Sequence, residues 1–258
     1  MQIVRSTDTS QQQNDQSSVD GTQRITDPQA LYSFFEQADD AAADAMLAQW
    51  QAEPLDPDGR QYDNDSNRFF NYIGWTSNVP EVLTESEYQQ ALQREGNPEQ
   101  LYHADQSYNG VGARQFAAQF MGQGYAFNGQ QYRQYVSQGI HGDGTYFAPN
   151  ANDSAGYGTS QFRGFLNSNA RTIDESTLQN ELHAFEQKHP SFSRVLDRMS
   201  GGYGGQGDRD GLLSIFAAMK GYNAIRATYH NGYVTLLDRK ALTMSSKTQK
   251  TKRGMPNW

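Results

Sequence analysis

Gly139-Ile140-His141-Gly142-Asp143-Gly144-Thr145-Tyr146-Phe147-Ala148-Pro149 is the stretch on which the fold turns. Its glycines let the backbone take positive φ or approach another group closely. They lead into Thr145-Tyr146-Phe147-Ala148, a β-branched and aromatic run that predicts a strand. A Ser/Asn/Asp-rich loop follows from Pro149 to Ser154, and a second aromatic, Tyr157, closes it. Two readings stand side by side. A glycine turn that delivers one aromatic to a strand and returns another makes a slot for a flat ring. A hairpin whose tyrosines are half-buried strand residues has the same pattern, since Gly and Tyr are abundant throughout this chain.

Working outward, Gly-x-Gly-x-Tyr-Phe-Ala followed by Ser-Ala-x-Tyr resembles the second signature of the ADP-ribosyltransferase superfamily. It is most similar to the His-Tyr-Glu branch, the diphtheria-toxin and poly(ADP-ribose) polymerase type. Leu101-Tyr102-His103-Ala104-Asp105 resembles the first signature, a strand carrying His after an aromatic. Asn231-Gly232-Tyr233-Val234-Thr235-Leu236-Leu237-Asp238-Arg239 is the nearest match to the third. The resemblance spans residues 62–246 and extends to bacterial and phage-encoded mono-ADP-ribosyltransferases. It departs where the family places its catalytic Glu, because this chain has Gly232, or Asn231 in a register slipped by one. It also departs at Ala104, where the polymerase branch has Gly.

The resemblance implies an α+β fold in which two small β-sheets form an NAD cleft among helices. It also implies cleavage of the nicotinamide–ribose bond and transfer of ADP-ribose to a macromolecular acceptor, most simply a host protein. His103 would bind a ribose, and the backbone of Ala104 would meet the carboxamide. Tyr146 and Tyr157 would sandwich the ring by stacking, and Ser154 would donate to the carboxamide oxygen. For the missing carboxylate, Asp238, Glu175 and Glu181 are the candidates. Without that Glu, mono-transfer is expected rather than chain elongation. An NAD glycohydrolase and an inactive NAD-binding or virion module are the rival outcomes.

The rest of the sequence bounds these expectations. A chain of 258 residues holds one large domain and an extension. A net charge of −8 argues against a general nucleic-acid binder, which needs a basic surface to release counterions. With no cysteine there is neither a disulfide nor a thiolate metal site. The five histidines (103, 141, 183, 189 and 230) show no metal-ligand spacing, so NAD is the expected cofactor and no metal is expected. The first twenty residues lack the apolar centre of a signal peptide, and no run is long enough to span a membrane. The expected location is the cytoplasm, the chain's own or that of a target cell.

Along the chain, residues 1–26 are polar and predict a disordered tail. Residues 27–61 form an N-terminal helical extension, with Asp27-Pro28 starting one long amphipathic helix to about Gln51. Residues 62–246 carry the catalytic domain, and residues 247–258 a basic tail, with fraying from Ser245 onward. Within the domain, Asn67–Trp75, Glu85–Arg94, Gly110–Met121, Gln130–Ser137, Ser154–Leu166, Asp174–Gln187, Ser191–Met199 and Asp208–Lys220 read as helical. Leu101–Ala104, Ala170–Ile173, Ala224–Thr228 and Tyr233–Leu237 read as strands. Asn231-Gly232 marks the hairpin between the last two.

Overall fold

The structure is a computed structural model that describes residues 24–53, 65–105, 120–122, 126–127, 130–131, 144–158, 160–199, 206–228 and 232–250. The expected disordered tail therefore lies outside the described residues up to position 23. Its last residues are fixed: the Arg24 guanidinium donates to the Tyr72 carbonyl at 3.2 Å and pairs with Glu53 at 2.7 Å.

The expected long helix is two helices. α1 (Pro28–Phe35) starts on the Asp27 side chain, which accepts from the Ala30 amide. Asp39 does the same for the Ala42 amide and starts α2 (Asp40–Gln51). A second capping aspartate in mid-pattern supplies an alternative partner for the backbone, and apolar spacing alone does not register it. α3 (Asp65–Tyr72) follows. α4 (Glu85–Arg94) begins with a full capping box between Thr84 and Glu87.

Two sheets carry the rest. In the first, β1 (Glu81–Leu83) pairs in parallel with β10 (Leu242–Ser245). β10 and β11 (Gln249–Lys250) lie successively along one edge of β6 (Ser160–Leu166), and β2 (Leu101–Asp105) lies on its other edge. In the second, β5 (Thr145–Phe147), β9 (Val234–Leu236), β8 (Ala224–Arg226) and β7 (Thr172–Asp174) stand in that order. A short hairpin joins β3 (Ala126–Phe127) to β4 (Gln130–Gln131), where a helical turn was expected; most of Gly110–Met121 lies outside the described residues. The α+β expectation holds, and the hairpin around Asn231-Gly232 is the antiparallel β8–β9 pair.

Two local readings are corrected. Ser154–Leu166 is not a helix: α5 (Ala151–Ala155) ends there and β6 begins at Ser160. Both faces of β6 are covered, so its apolar residues lack the plain alternation that marks a half-exposed strand. The chain after Ser245 is not frayed at its start, because the Ser246 amide donates to the Leu83 carbonyl at 2.7 Å and β11 pairs with β6.

α6 (Glu175–Lys188), α7 (Pro190–Met199) and α8 (Gln206–Met219) complete the helical layer. α1 and α2 share one core with them, through Phe35, Trp50, Phe69, Phe185, Phe192 and Phe216. Edge-on ring contacts recur in this cluster, such as Trp50 on Phe69 at 5.0 Å. Among the described residues, no helix is long and apolar enough to cross a membrane.

Gly144 explains how the organising stretch reaches the sheet. A Cβ there would lie 2.6 Å from the Leu236 carbonyl oxygen and 2.7 Å from a Thr235 methyl, so only glycine lets β5 approach β9. Gly144→Ala should cost about 1–3 kcal/mol through this overpacking, read as a lower urea midpoint. A stability equal to wild type would show that β9 yields freely.

Candidate functional site

The two sheets touch through β2 and the end of β5. The amide and carbonyl of Tyr102 exchange hydrogen bonds with those of Ala148, both at 2.8 Å. This pair is an isolated bridge, so the strands part on either side of it. Successive residues of a strand aim their backbone groups at opposite edges. The N–H and C=O of Ala104 therefore aim at the same edge as those of Tyr102, just past the bridge. That parting edge is where the expected carboxamide contact would be made.

His103 follows from the same alternation. Its side chain lies on the face of β2 opposite that of Ala104, beside Phe162 at 4.9 Å and Phe147 at 5.6 Å between ring centroids. Its Nδ1 lies 2.6 Å from the Tyr146 carbonyl oxygen. A carbonyl only accepts, so Nδ1 carries the proton and Nε2 is the acceptor of the neutral ring. Burial pushes the His103 pKa down to about 4, and the bond to Tyr146 opposes this only in part. At neutral pH the ring is uncharged, which suits accepting from a hydroxyl.

On the other face, Ala104 stands opposite Gln161 in the β2–β6 register. The Gln161 amide nitrogen donates to the Ala151 carbonyl at 2.8 Å and to the Ser154 hydroxyl. Ser154 is buried, and its hydroxyl also reaches the Ala151 carbonyl at 3.3 Å. To donate to a carboxamide it would exchange that long bond for a better one. α5 presents it because Asn150 caps the helix, accepting from the Asp153 amide at 2.9 Å.

Tyr146 is half-buried on β5, opposite Thr235. Tyr157 is exposed, and its ring meets that of Tyr233 at a right angle. Tyr233 and Asp153 were not among the sequence candidates. Tyr233 read as part of the strand matched to the third signature and Asp153 as a loop residue, and the nearness of Tyr233 to Tyr157 has no sequence signal. Gln161 was missed because its segment read as a helix.

Structure assigns the candidate carboxylates other tasks. Asp238 is buried and accepts from the Asn78 side chain at 2.9 Å, the Lys240 amide at 3.0 Å and the Asn223 side chain at 3.4 Å. It caps the turn Arg239–Ala241, off the end of β9 opposite Tyr233. Glu181 pairs with Lys220 at 2.8 Å. Glu175 starts α6 after β7, the strand farthest from β5 in its sheet. Gly232 has φ +70°, so a Glu there would be strained although a Cβ would meet only an Arg226 nitrogen at 3.9 Å. Among the described residues, no group of three or more His, Asp or Glu side chains is placed to hold a metal ion.

The His103 pKa yields a prediction with a definite sign. The folded value, about 4, lies below the ordinary histidine value of 6.5, so the unfolded state takes up the proton first. As pH falls from 6.5 to 4 the native state should lose up to about 3 kcal/mol from this group, with no further loss below. Denaturant titrations across this range should show His103→Gln lacking that component. Parallel pH profiles for the two proteins would contradict the buried neutral ring.

Compared with protein-family models, with curated proteins and with solved structures, the chain matches none.

Proposed function

We propose that this chain binds NAD at the parting edge of β2 and β5 and acts as a mono-ADP-ribosyltransferase on a macromolecular acceptor. The observation that carries the reading is that β2 sets the Ala104 backbone at that edge with the neutral His103 ring on one face, while the sequence-distant Ser154 hydroxyl on the other face is bonded to Gln161, the residue opposite Ala104 on β6. Tyr146 and Tyr157 lie on the adjoining segments. The amide and carbonyl of Ala104 complement the two polar ends of a primary carboxamide, and Ser154 adds a donor to its oxygen. The acceptor nitrogen of His103 meets a ribose hydroxyl. The aromatic side chains offer a stacking surface for a flat ring, which gains most where water is excluded.

The chemical step breaks the bond between the anomeric carbon and the nicotinamide nitrogen, which leaves with the bonding electron pair. The ribose becomes oxocarbenium-like, and the acceptor's nucleophile then attacks that carbon and gives up its proton. A carboxylate beside the anomeric carbon would stabilise the developing positive charge. Gly232 supplies none, and Asp238 is committed as a cap. This favours a second reading, a pocket that binds NAD and turns it over slowly or not at all.

Nicotinamide release from labelled NAD, with and without a cell lysate, separates these readings. Release that labels a lysate protein and falls at least about 10-fold in Tyr146→Ala and in His103→Ala is the expected outcome. Release without label would make the protein a glycohydrolase. Tight NAD binding without release would leave the binding reading, and no NAD binding would remove both.

A further inference from the structure

Tyr157 is 60% exposed and, with Val79, is one of two large apolar side chains so exposed among the described residues. Its main chain is fixed, since its amide donates to the Ser154 carbonyl at 3.0 Å. Its ring is fixed by a residue distant in sequence. The Tyr233 ring stands perpendicular to it, at 89°, with centroids 6.4 Å apart. Tyr233 is in turn held by the β8–β9 hairpin, whose Ala227 amide donates to the Tyr233 carbonyl at 2.8 Å. The Tyr233 phenol has its pKa raised, first by burial, then by a hydrogen bond between its hydroxyl and that of Tyr157, and by the Tyr157 and Asp153 charges, so both its hydroxyl and its ring engage Tyr157.

An exposed tyrosine with nothing against it samples several rotamers, and a ligand that stacks on it must first stop that motion. A perpendicular neighbour removes this cost beforehand and leaves ring surface open for stacking. On the NAD-pocket reading above, we infer that Tyr233 is a positioning residue. Its ring and its hydroxyl together orient Tyr157 as a platform for a planar aromatic carboxamide. Tyr233 adjoins Gly232, the position that corresponds to the family Glu, so the chain presents an aromatic support next to where a charge would be expected.

Equilibrium binding of nicotinamide and, separately, of ADP-ribose to the full chain tests this. ADP-ribose lacks the nicotinamide ring and serves as the control for a general structural defect. Tyr233→Leu should weaken nicotinamide about 10-fold and leave ADP-ribose within about 2-fold. Tyr233→Phe, which keeps the ring and loses the hydrogen bond, should weaken nicotinamide less than Tyr233→Leu does and leave ADP-ribose within about 2-fold of wild type. Equal loss of both ligands in Tyr233→Leu, or a larger loss of nicotinamide binding in Tyr233→Phe than in Tyr233→Leu, would overturn the positioning role. Wild-type affinity in Tyr233→Leu would overturn it too, while leaving the pocket reading intact. Failure of the wild-type chain to bind either ligand would remove the pocket and the platform together.

Discussion

Two backbone hydrogen bonds between Tyr102 and Ala148 join two sheets that share one apolar core. Everything proposed for the site depends on their isolation. Were the pairing continuous, the backbone of Ala104 would be spent on β5 and no edge would remain. Because the strands part, a pair of complementary backbone groups is left beside a neutral imidazole on one face and a buried hydroxyl on the other. Gly144 permits this by letting β5 sit against β9 closely enough to hold Tyr146 and Ala148 in place.

Around that junction the packing is aromatic. Phe147 and Phe162 pack on the His103 ring and Phe120 packs on both, with centroid distances among the three phenylalanines of 5.3 to 6.0 Å. Such a setting excludes water and explains why the imidazole stays neutral. It also fixes the ring's orientation through one short bond to a main-chain carbonyl, a support that does not vary with side-chain rotamers. The same histidine is thus packed into the aromatic cluster and held in one tautomer. Arg239 adds a further brace, donating to the Phe120 carbonyl at 2.8 Å and the Thr76 carbonyl at 3.0 Å.

Much of the fold was legible where local physics governs. The Thr84 cap, the strand at Leu101, the strand at Thr145 and the hairpin at Gly232 lie where their residues predict. The misreadings have a common cause. β6 carries apolar residues on both faces, so its pattern lacks the alternation that marks a half-exposed strand. α1 and α2 share one apolar stripe, and a single aspartate divides them. β10 and β1 are short strands whose existence depends on partners far away in the chain. The candidate site was legible as a set of residue types, His103, Tyr146, Ser154 and Tyr157, but its support was not. Gln161, Asp153 and Tyr233 enter only through contacts.

By itself the sequence determined the helix caps, the strand that begins at Thr145 and the hairpin at Gly232. These follow from backbone sterics and side-chain chemistry within a few positions. Only the tertiary structure decided which carboxylates are consumed as caps or ion pairs, and which aromatic stands against Tyr157. It also decided that Gly232 sits in a left-handed turn. Those outcomes depend on groups brought together from distant segments, and burial and hydrogen bonding assign each group a role only after the chain has closed around it.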